Sequence, residues 1–293
     1  MKKNKSSSII KGVLFCVLFI YALSIIALLI WALNTSLKTN VDFLIKQNFF
    51  GLPEELAFEN YAAVFKHFYV RVNRNGVFMR IGFGKQALYT LVYAVGGSLM
   101  TALCPFLVAY ACSRFNYKFN TVLITIVMLT MVIPIVGSQT SYVAVLHGLG
   151  LYDKLMMIFW SKFHFTNLYT LIYIGVLGGV SKSFSEAAAI DGANEFQIMA
   201  RIVFPLVRNV FFTVMLIFFI EYWNDYQLPL LYMPSHPTLA YGVYFLTNNT
   251  TGELNITPRK MSGCMLLVLP ITILFIIFKE KLMTNLSMGG VKE

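Results

Sequence analysis

Glu186-Ala187-Ala188-Ala189-Ile190-Asp191-Gly192-Ala193, continuing to Ile202-Val203-Phe204-Pro205, is a charged, small-residue stretch set between long apolar runs. Ala is the strongest helix former and carries almost no side-chain bulk. Ser183-Phe184-Ser185-Glu186 fits a capping box, with Ser183 as the cap and Glu186 reaching back to its N–H. Gly192 can end that helix in the left-handed region. Asn194 can cap a second short helix from Glu195 to about Phe204, ahead of Pro205. The expected product is a short, smooth, rigid helix exposed to water, whose small residues let a partner approach closely. That is a docking element rather than part of a buried core.

The flanks explain why such an element stands out. Of 293 residues, 58% are hydrophobic and only 12% charged, where a soluble domain carries roughly a quarter charged residues. The chain therefore belongs to the membrane class. Its formal net charge of +10 is scattered over loops with no interleaved aromatic stripe. That pattern suits lipid headgroups and membrane topology and excludes nucleic acid as a partner.

An all-α, polytopic protein with six transmembrane helices is expected. The spans fall at about 13–33, 87–112, 120–136, 155–180, 207–226 and 263–278, in one transmembrane domain over 13–293. The first run is long enough to cross a bilayer and lacks a cleavage site, so it reads as a retained span rather than a signal peptide. Pro105 lies inside the second span and Pro134 near the end of the third; polar Ser161-Lys162-Phe163-His164 interrupts the fourth. Lys2, Lys3, Lys5 and Lys11 place residues 1–12 in the cytoplasm. Arg114, Lys118, Lys182, Arg201, Arg208, Lys279 and Lys281 then fall inside as well. The loop 181–206 and the tail 279–293 are thus cytoplasmic. The outer segment 34–86 has apolar residues at helical spacing (Phe58, Tyr61, Ala62, Phe65), which predicts a short surface helix.

Much chemistry is absent. There is no GxxxxGK[ST] and no HExxH. The four histidines are dispersed, and Cys16, Cys104, Cys112 and Cys264 form no CxxC pair and read as small buried hydrophobes. Catalytic residues and metal ligands are expected to be none, and the chain is read as not an enzyme. Ionisable residues within spans are few: Lys162 and His164 toward the outer part of the fourth, Glu221 and Asp225 toward the outer end of the fifth. Each reads as an interfacial residue that reaches water. Ion coupling is poorly supported, so the energy for transport has to enter from elsewhere.

The opening stretch resembles the EAA loop of permease subunits of binding-protein-dependent ABC importers. That pattern is Glu-Ala-Ala, three residues, Gly, nine residues, then Ile-x-Leu-Pro. Here it reads Glu186-Ala187-Ala188, Gly192, Ile202 and Pro205, with Phe204 where Leu is usual. Asp191-Gly192-Ala193 is similar to the carbohydrate importers in particular, the group of the smaller maltose permease subunit. Phe58-Glu59-Asn60-Tyr61, Trp223-Asn224-Asp225 and the Gly-containing end from Asn285 resemble further family features. The departures are Gly179-Val180-Ser181-Lys182, where a Pro is common, and the polar 161–164 stretch.

The resemblance implies a type I ABC importer permease fold in a bacterial cell membrane, with both termini in the cytoplasm. It implies a second permease subunit, two ATPase subunits that carry ATP and Mg, an extracytoplasmic sugar-binding protein and membrane lipid as partners. This chain itself takes no cofactor. Glu186, Ala187, Ala188, Asp191, Gly192, Ile202 and Pro205 form the ATPase-coupling set, with Glu186 in polar contact and Gly192 setting the bend. The tail from Ser287 is a second ATPase contact. Tyr222, Trp223, Asn224 and Asp225 are candidates for the pore or the binding-protein face, and fit an interfacial aromatic belt equally well. No sugar contact is carried over. A permease for a peptide or polyamine, a secondary carrier or channel, and a membrane enzyme are the competing readings.

Overall fold

In the computed structural model, residues 5–74, 76–115, 117–133, 137–248 and 252–287 are described, with side chains from residue 10 to 280. Pro134, part of the 247–252 turn and the tail 288–293 lie outside them. The order is α1 (Lys5–Ser36), a π-helical turn (Val41–Ile45), α2 (Glu59–His67), β1 (Tyr69–Arg74), β2 (Val77–Gly82), α3 (Phe83–Arg114), α4 (Asn120–Val132), α5 (Ser138–Gly148), α6 (Met156–Lys162) and α7 (Leu168–Gly178). Then come α8 (Ser183–Ile190), α9 (Glu195–Ile198), a second π-helical turn (Met199–Val203), α10 (Phe204–Asn224), α11 (Gln227–Tyr232), α12 (Leu239–Asn248) and α13 (Thr257–Ser287). The described residues are mostly helical, and a two-stranded sheet, β1 with β2, was not expected from sequence.

Among the described residues, four stretches are long and apolar enough to cross a membrane: Ile10–Ser36, Phe83–Arg114, Glu195–Asn224 and Thr257–Glu280. α4 and α7 are apolar but shorter. The expected fourth span differs most. Instead of one helix over 155–180, α6 stops at Lys162 and α7 restarts at Leu168. Asn167 makes the restart, accepting from the N–H groups of Tyr169 and Thr170 at 3.0 and 3.3 Å. An Asn at the cap position satisfies donors that the first helical turn leaves open.

The chain divides into two compact units. The first holds Met1–Tyr69 and Val243–Leu269. In it α1 is apolar around its whole circumference, with Phe15, Leu18, Ile20 and Leu28 each at least 65% exposed. A helix that buries no face of its own and is apolar all round suits lipid. Cys16 sits among these exposed residues rather than in a core. Behind α1 the chain is pinned by buried polar groups. Asn60 donates to the carbonyls of Ser36 and Lys38 at 3.0 and 2.8 Å, and Ser262 donates to Ser36 at 3.1 Å. α2 is the expected surface helix.

The second unit holds Val70–Gly242 and Pro270–Glu293. α3 is its spine, packed by α10, α7 and α6. Close approach depends on Gly97: a Cβ there would lie 2.9 Å from the Tyr222 ring. Ala102, Phe106 and Ala109 continue the same face of α3 into a cluster with Tyr173, Leu177, Val207, Phe211 and Val214. The hairpin closes on its own small core of Val70, Val72, Ile81 and Tyr241.

Candidate functional site

The segment from Ser181 to Pro205 folds as two short helices joined by a tight turn. α8 ends in a Schellman closure. Ala193 N–H donates to Ala188 O at 2.9 Å, and Gly192 N–H to Ala189 O at 3.1 Å. Gly192 has a φ of +84°, which L side chains avoid because Cβ crowds the carbonyl. A Cβ at Gly192 would meet nothing within 4 Å, so conformation alone requires glycine there.

The capping box lies elsewhere than expected. α8 starts one residue early, with Lys182 in the cap position and no side-chain cap. Ser183 is therefore already in the first turn, where its hydroxyl cannot cap, and it pairs with the Ser181 hydroxyl at 2.8 Å. The box belongs to α9. The Asn194 carbonyl oxygen accepts from Gln197 N–H, and Gln197 accepts from Asn194 N–H, both at 2.9 Å. Asn194 as the cap was expected; Gln197 completes it.

Pro205 does not end this helix. Helical structure runs unbroken from Glu195 to Asn224 through the π-helical turn Met199–Val203. Proline lacks an N–H and its ring collides with the carbonyl four residues back. Widening the turn just before it removes that demand. α9 and α10 are thus one continuous rod, and α8 joins it through the Gly192 turn.

This segment has an inner and an outer face. Ala188, Ile198 and Val203 are buried, and Ile202, Phe204 and Ala193 pack beside them on the α3, α7 and α10 cluster. Phe204 lies edge-on to Phe106 and Phe211, with ring centres 5.7 and 5.2 Å apart. The Tyr110 hydroxyl at the end of α3 donates to Glu195 at 3.4 Å. Glu186, Ala187, Asp191 and Pro205 are exposed. Among the described residues the Glu186 carboxylate has no hydrogen-bond or ion-pair partner, while its N–H donates to Lys182 O at 3.0 Å. The outer face also carries Phe184, Ile190 and Phe196, exposed by 54, 87 and 71%. Sequence reading passed over these three. Their signal was three large apolar residues in a loop otherwise judged polar, which marks a contact surface.

The second set of candidate residues divides. Tyr222 is buried, stacks on Phe218 with ring centres 5.8 Å apart, and shares a 2.9 Å hydrogen bond with Thr101 of α3. Asp225 accepts from the Tyr93 hydroxyl at 2.5 Å and from the N–H groups of Gln227 and Leu228 at 2.9 and 3.1 Å. Trp223 packs against Phe219, while Asn224 is exposed and bonds to Ile220 O. Tyr222 and Asp225 come together with Tyr93 and Thr101 in one buried polar node; Trp223 and Asn224 do not join it.

Lys162 belongs to that node. It was expected to reach the surface, yet it is only 7% exposed. Its ammonium lies over the Tyr222 ring, 3.9 Å from the centre, and 5.6 Å from that of Tyr93. It borders a cavity of about 470 Å³, lined also by Tyr93, Tyr142, Tyr232, Ser138, Ser141 and Ser161. Among the described residues no group of His, Cys, Asp and Glu is placed to hold a metal.

Comparison with known proteins gives the family and the fold. Residues 102–286 match the model of the binding-protein-dependent transport system inner membrane component family. The probable starch degradation products transport system permease protein AmyC of Thermoanaerobacterium thermosulfurigenes is 26% identical, over 92% of this chain and 95% of that one. The melibiose/raffinose/stachyose import permease protein MelC of Bacillus subtilis (strain 168) is 25% identical, over 89% of each. A chain of a bacterial ABC transporter involved in the import of the acidic polysaccharide alginate shares the fold, with a TM-score of 0.74 at 21% identity, over 96% of this chain and 99% of that one. The family match covers more than half of the chain and includes both the coupling segment and the α3, α7 and α10 core; the chain belongs to the binding-protein-dependent transport system inner membrane component family.

Proposed function

We infer that the chain is the membrane-spanning permease subunit of an ATP-driven sugar or oligosaccharide importer and forms half of its translocation pore. One observation carries the reading. α8 presents an exposed face just before a Schellman turn, and α9, beyond that tight turn, runs without a break into the span-length helix α10. A partner that moves this face moves α10 with it. The permease holds no P-loop, so the ATPase is a separate subunit that receives Phe184, Glu186, Ala187 and Ile190 in a cleft. Two ATPase chains bind ATP and Mg, a second permease completes the pore, and a binding protein delivers the sugar outside. Relatives named for starch products and for melibiose, raffinose and stachyose support carbohydrate as the cargo. A structure of the alginate transporter with a sugar-bound periplasmic protein supports the binding-protein partner.

In this reading the shorter apolar helices α4 and α7 complete six spans with the four long ones. Both termini and the coupling segment face the cytoplasm of a bacterial cell, as the Lys and Arg distribution requires. Closure of the ATPase pair rocks the spans as rigid bodies, which alternates access to the pore. Uptake by the complete importer in proteoliposomes tests it. Gly192→Asp and Glu186→Lys are expected to abolish ATP-driven sugar uptake and ATPase co-purification while membrane insertion stays normal. Normal uptake in both variants contradicts the reading.

A further inference from the structure

A lysine held away from water is costly unless something offsets its charge. In a membrane protein such a residue marks a pathway or ligand site by default. Lys162 ends α6 where the fourth span breaks, and it is 93% buried by the measure that leaves 7% exposed. Among the described residues no carboxylate oxygen lies within 4.0 Å of its nitrogen. Asp225 and Glu221 attract it from farther off. The Asp225 carboxylate, however, already takes three donors, from Tyr93, Gln227 and Leu228. What holds the ammonium is the π face of Tyr222, a contact that steadies a cation without neutralising it. Its free donors border a cavity whose volume, about 470 Å³, falls within the roughly 300–1,000 Å³ of small-molecule sites.

The walls of that cavity fit a carbohydrate. Tyr142 and Tyr232 stand edge-to-face, 5.1 Å between centres, and offer aromatic surface for the C–H face of a sugar ring. Ser138 and Ser141 offer hydroxyls that both donate and accept, and Ser161, whose hydroxyl donates to Ile158 O at 3.3 Å, offers an acceptor. A neutral sugar needs only those groups. A sugar hydroxyl can accept from the buried ammonium, but an acidic group on the ligand accepts from it and also offsets its charge. We propose that this cavity is a substrate subsite for an acidic sugar, with the carboxylate or sulfo group of the sugar on the Lys162 ammonium. The proposal rests on the sugar-permease reading and names its substrate class. It also gives this subunit a direct contact with the cargo.

The test uses the complete importer in proteoliposomes with two probes, a galacturonate trisaccharide and the neutral galactose trisaccharide of the same linkage. Lys162→Met keeps the length and apolar stem of the side chain and removes the charge; Lys162→Gln is the second neutral variant if the first does not assemble with its partners. The neutral variants are expected to need at least tenfold more galacturonate probe for half-maximal uptake, a clearly larger shift than for the neutral probe. Lys162→Arg is expected to keep most acidic uptake. Equal handling of the acidic probe by wild type and an assembled neutral variant overturns the proposal. So does a wild-type importer that moves only the neutral probe, which leaves the sugar-permease reading standing. Import of a non-sugar solute with neither trisaccharide moved overturns both.

Discussion

The ring of Phe204, where the coupling segment enters its span, meets the ring of Phe106 in α3 edge-on at 5.7 Å. Phe106 is 2% exposed and also packs edge-on against Tyr173 and Phe211, both at 5.9 Å. Truncating it opens a cavity among three rings. Phe106→Ala is expected to cost about 3–5 kcal/mol and to lower the thermal midpoint of the detergent-purified protein. Phe204→Leu restores the residue usual in the family pattern and keeps the site apolar, so its expected cost is under about 1.5 kcal/mol. A larger loss for Phe204→Leu than for Phe106→Ala contradicts this packing.

Gly192 separates conformation from space. At a φ of +84°, with nothing in the way of a Cβ, a β-branched residue strains the backbone by roughly 1–2 kcal/mol. Gly192→Val is expected to loosen the Schellman turn, read as faster proteolysis between residues 186 and 196. Gly192→Asn, which tolerates the left-handed region, is expected to be cut at close to the wild-type rate. Equal cleavage of both variants argues against the turn.

The cap positions give a paired comparison. Asn194→Ala removes the acceptor for Gln197 N–H and is expected to cost about 1 kcal/mol. Ser183→Ala is expected to change stability by no more than about 0.5 kcal/mol, as for a surface residue that caps nothing. Chemical denaturation of the two variants reads the difference directly. The reverse order would restore the cap that sequence alone suggests.

His236 provides a pH dependence outside the spans. It is 8% exposed, 3.5 Å from Asp153 Oδ1 and edge-on to Tyr89. Burial pushes its imidazole below the ordinary 6.5, and Asp153 opposes that only in part. The unfolded chain then binds more protons than the native one between the two values, so stability rises with pH there. Stability is expected to be full above the ordinary histidine range and to fall as pH drops through 6.5 toward the lowered native value. His236→Gln should flatten that part of the profile in thermal melts from pH 7.5 to 5. An unchanged slope in the variant assigns it to another group.

The residues that declared themselves in sequence did so through strong local chemistry. Val13 to Leu33 is apolar but for Ser24, whose hydroxyl is satisfied by Tyr21 O, and α1 follows. Ala187 to Ala189 before Gly192 can make little else than a helix with a left-handed stop. Other features depend on distant residues. Lys162 looked interfacial because its neighbours Ser161 and His164 are polar; its burial follows from Gly97, 65 positions earlier, which lets α3 approach Tyr222. Ser183 met the capping pattern on spacing alone, but Lys182 entered the helix first. The β1–β2 hairpin escaped notice because its strands, Tyr69–Arg74 and Val77–Gly82, carry Arg71, Arg74 and Arg80 beside the valines. Their apolar contacts come from Tyr89, Leu230 and Tyr241.

The coupling role of the outer face is open to one direct measurement. Ile190 is 87% exposed, two residues before the Gly192 turn. A photo-crosslinking amino acid placed there in the assembled importer is expected to capture the ATPase subunit, with a yield that changes when ATP is added. Capture of the external binding protein, or no capture of the ATPase in a complex that still transports, would contradict the account.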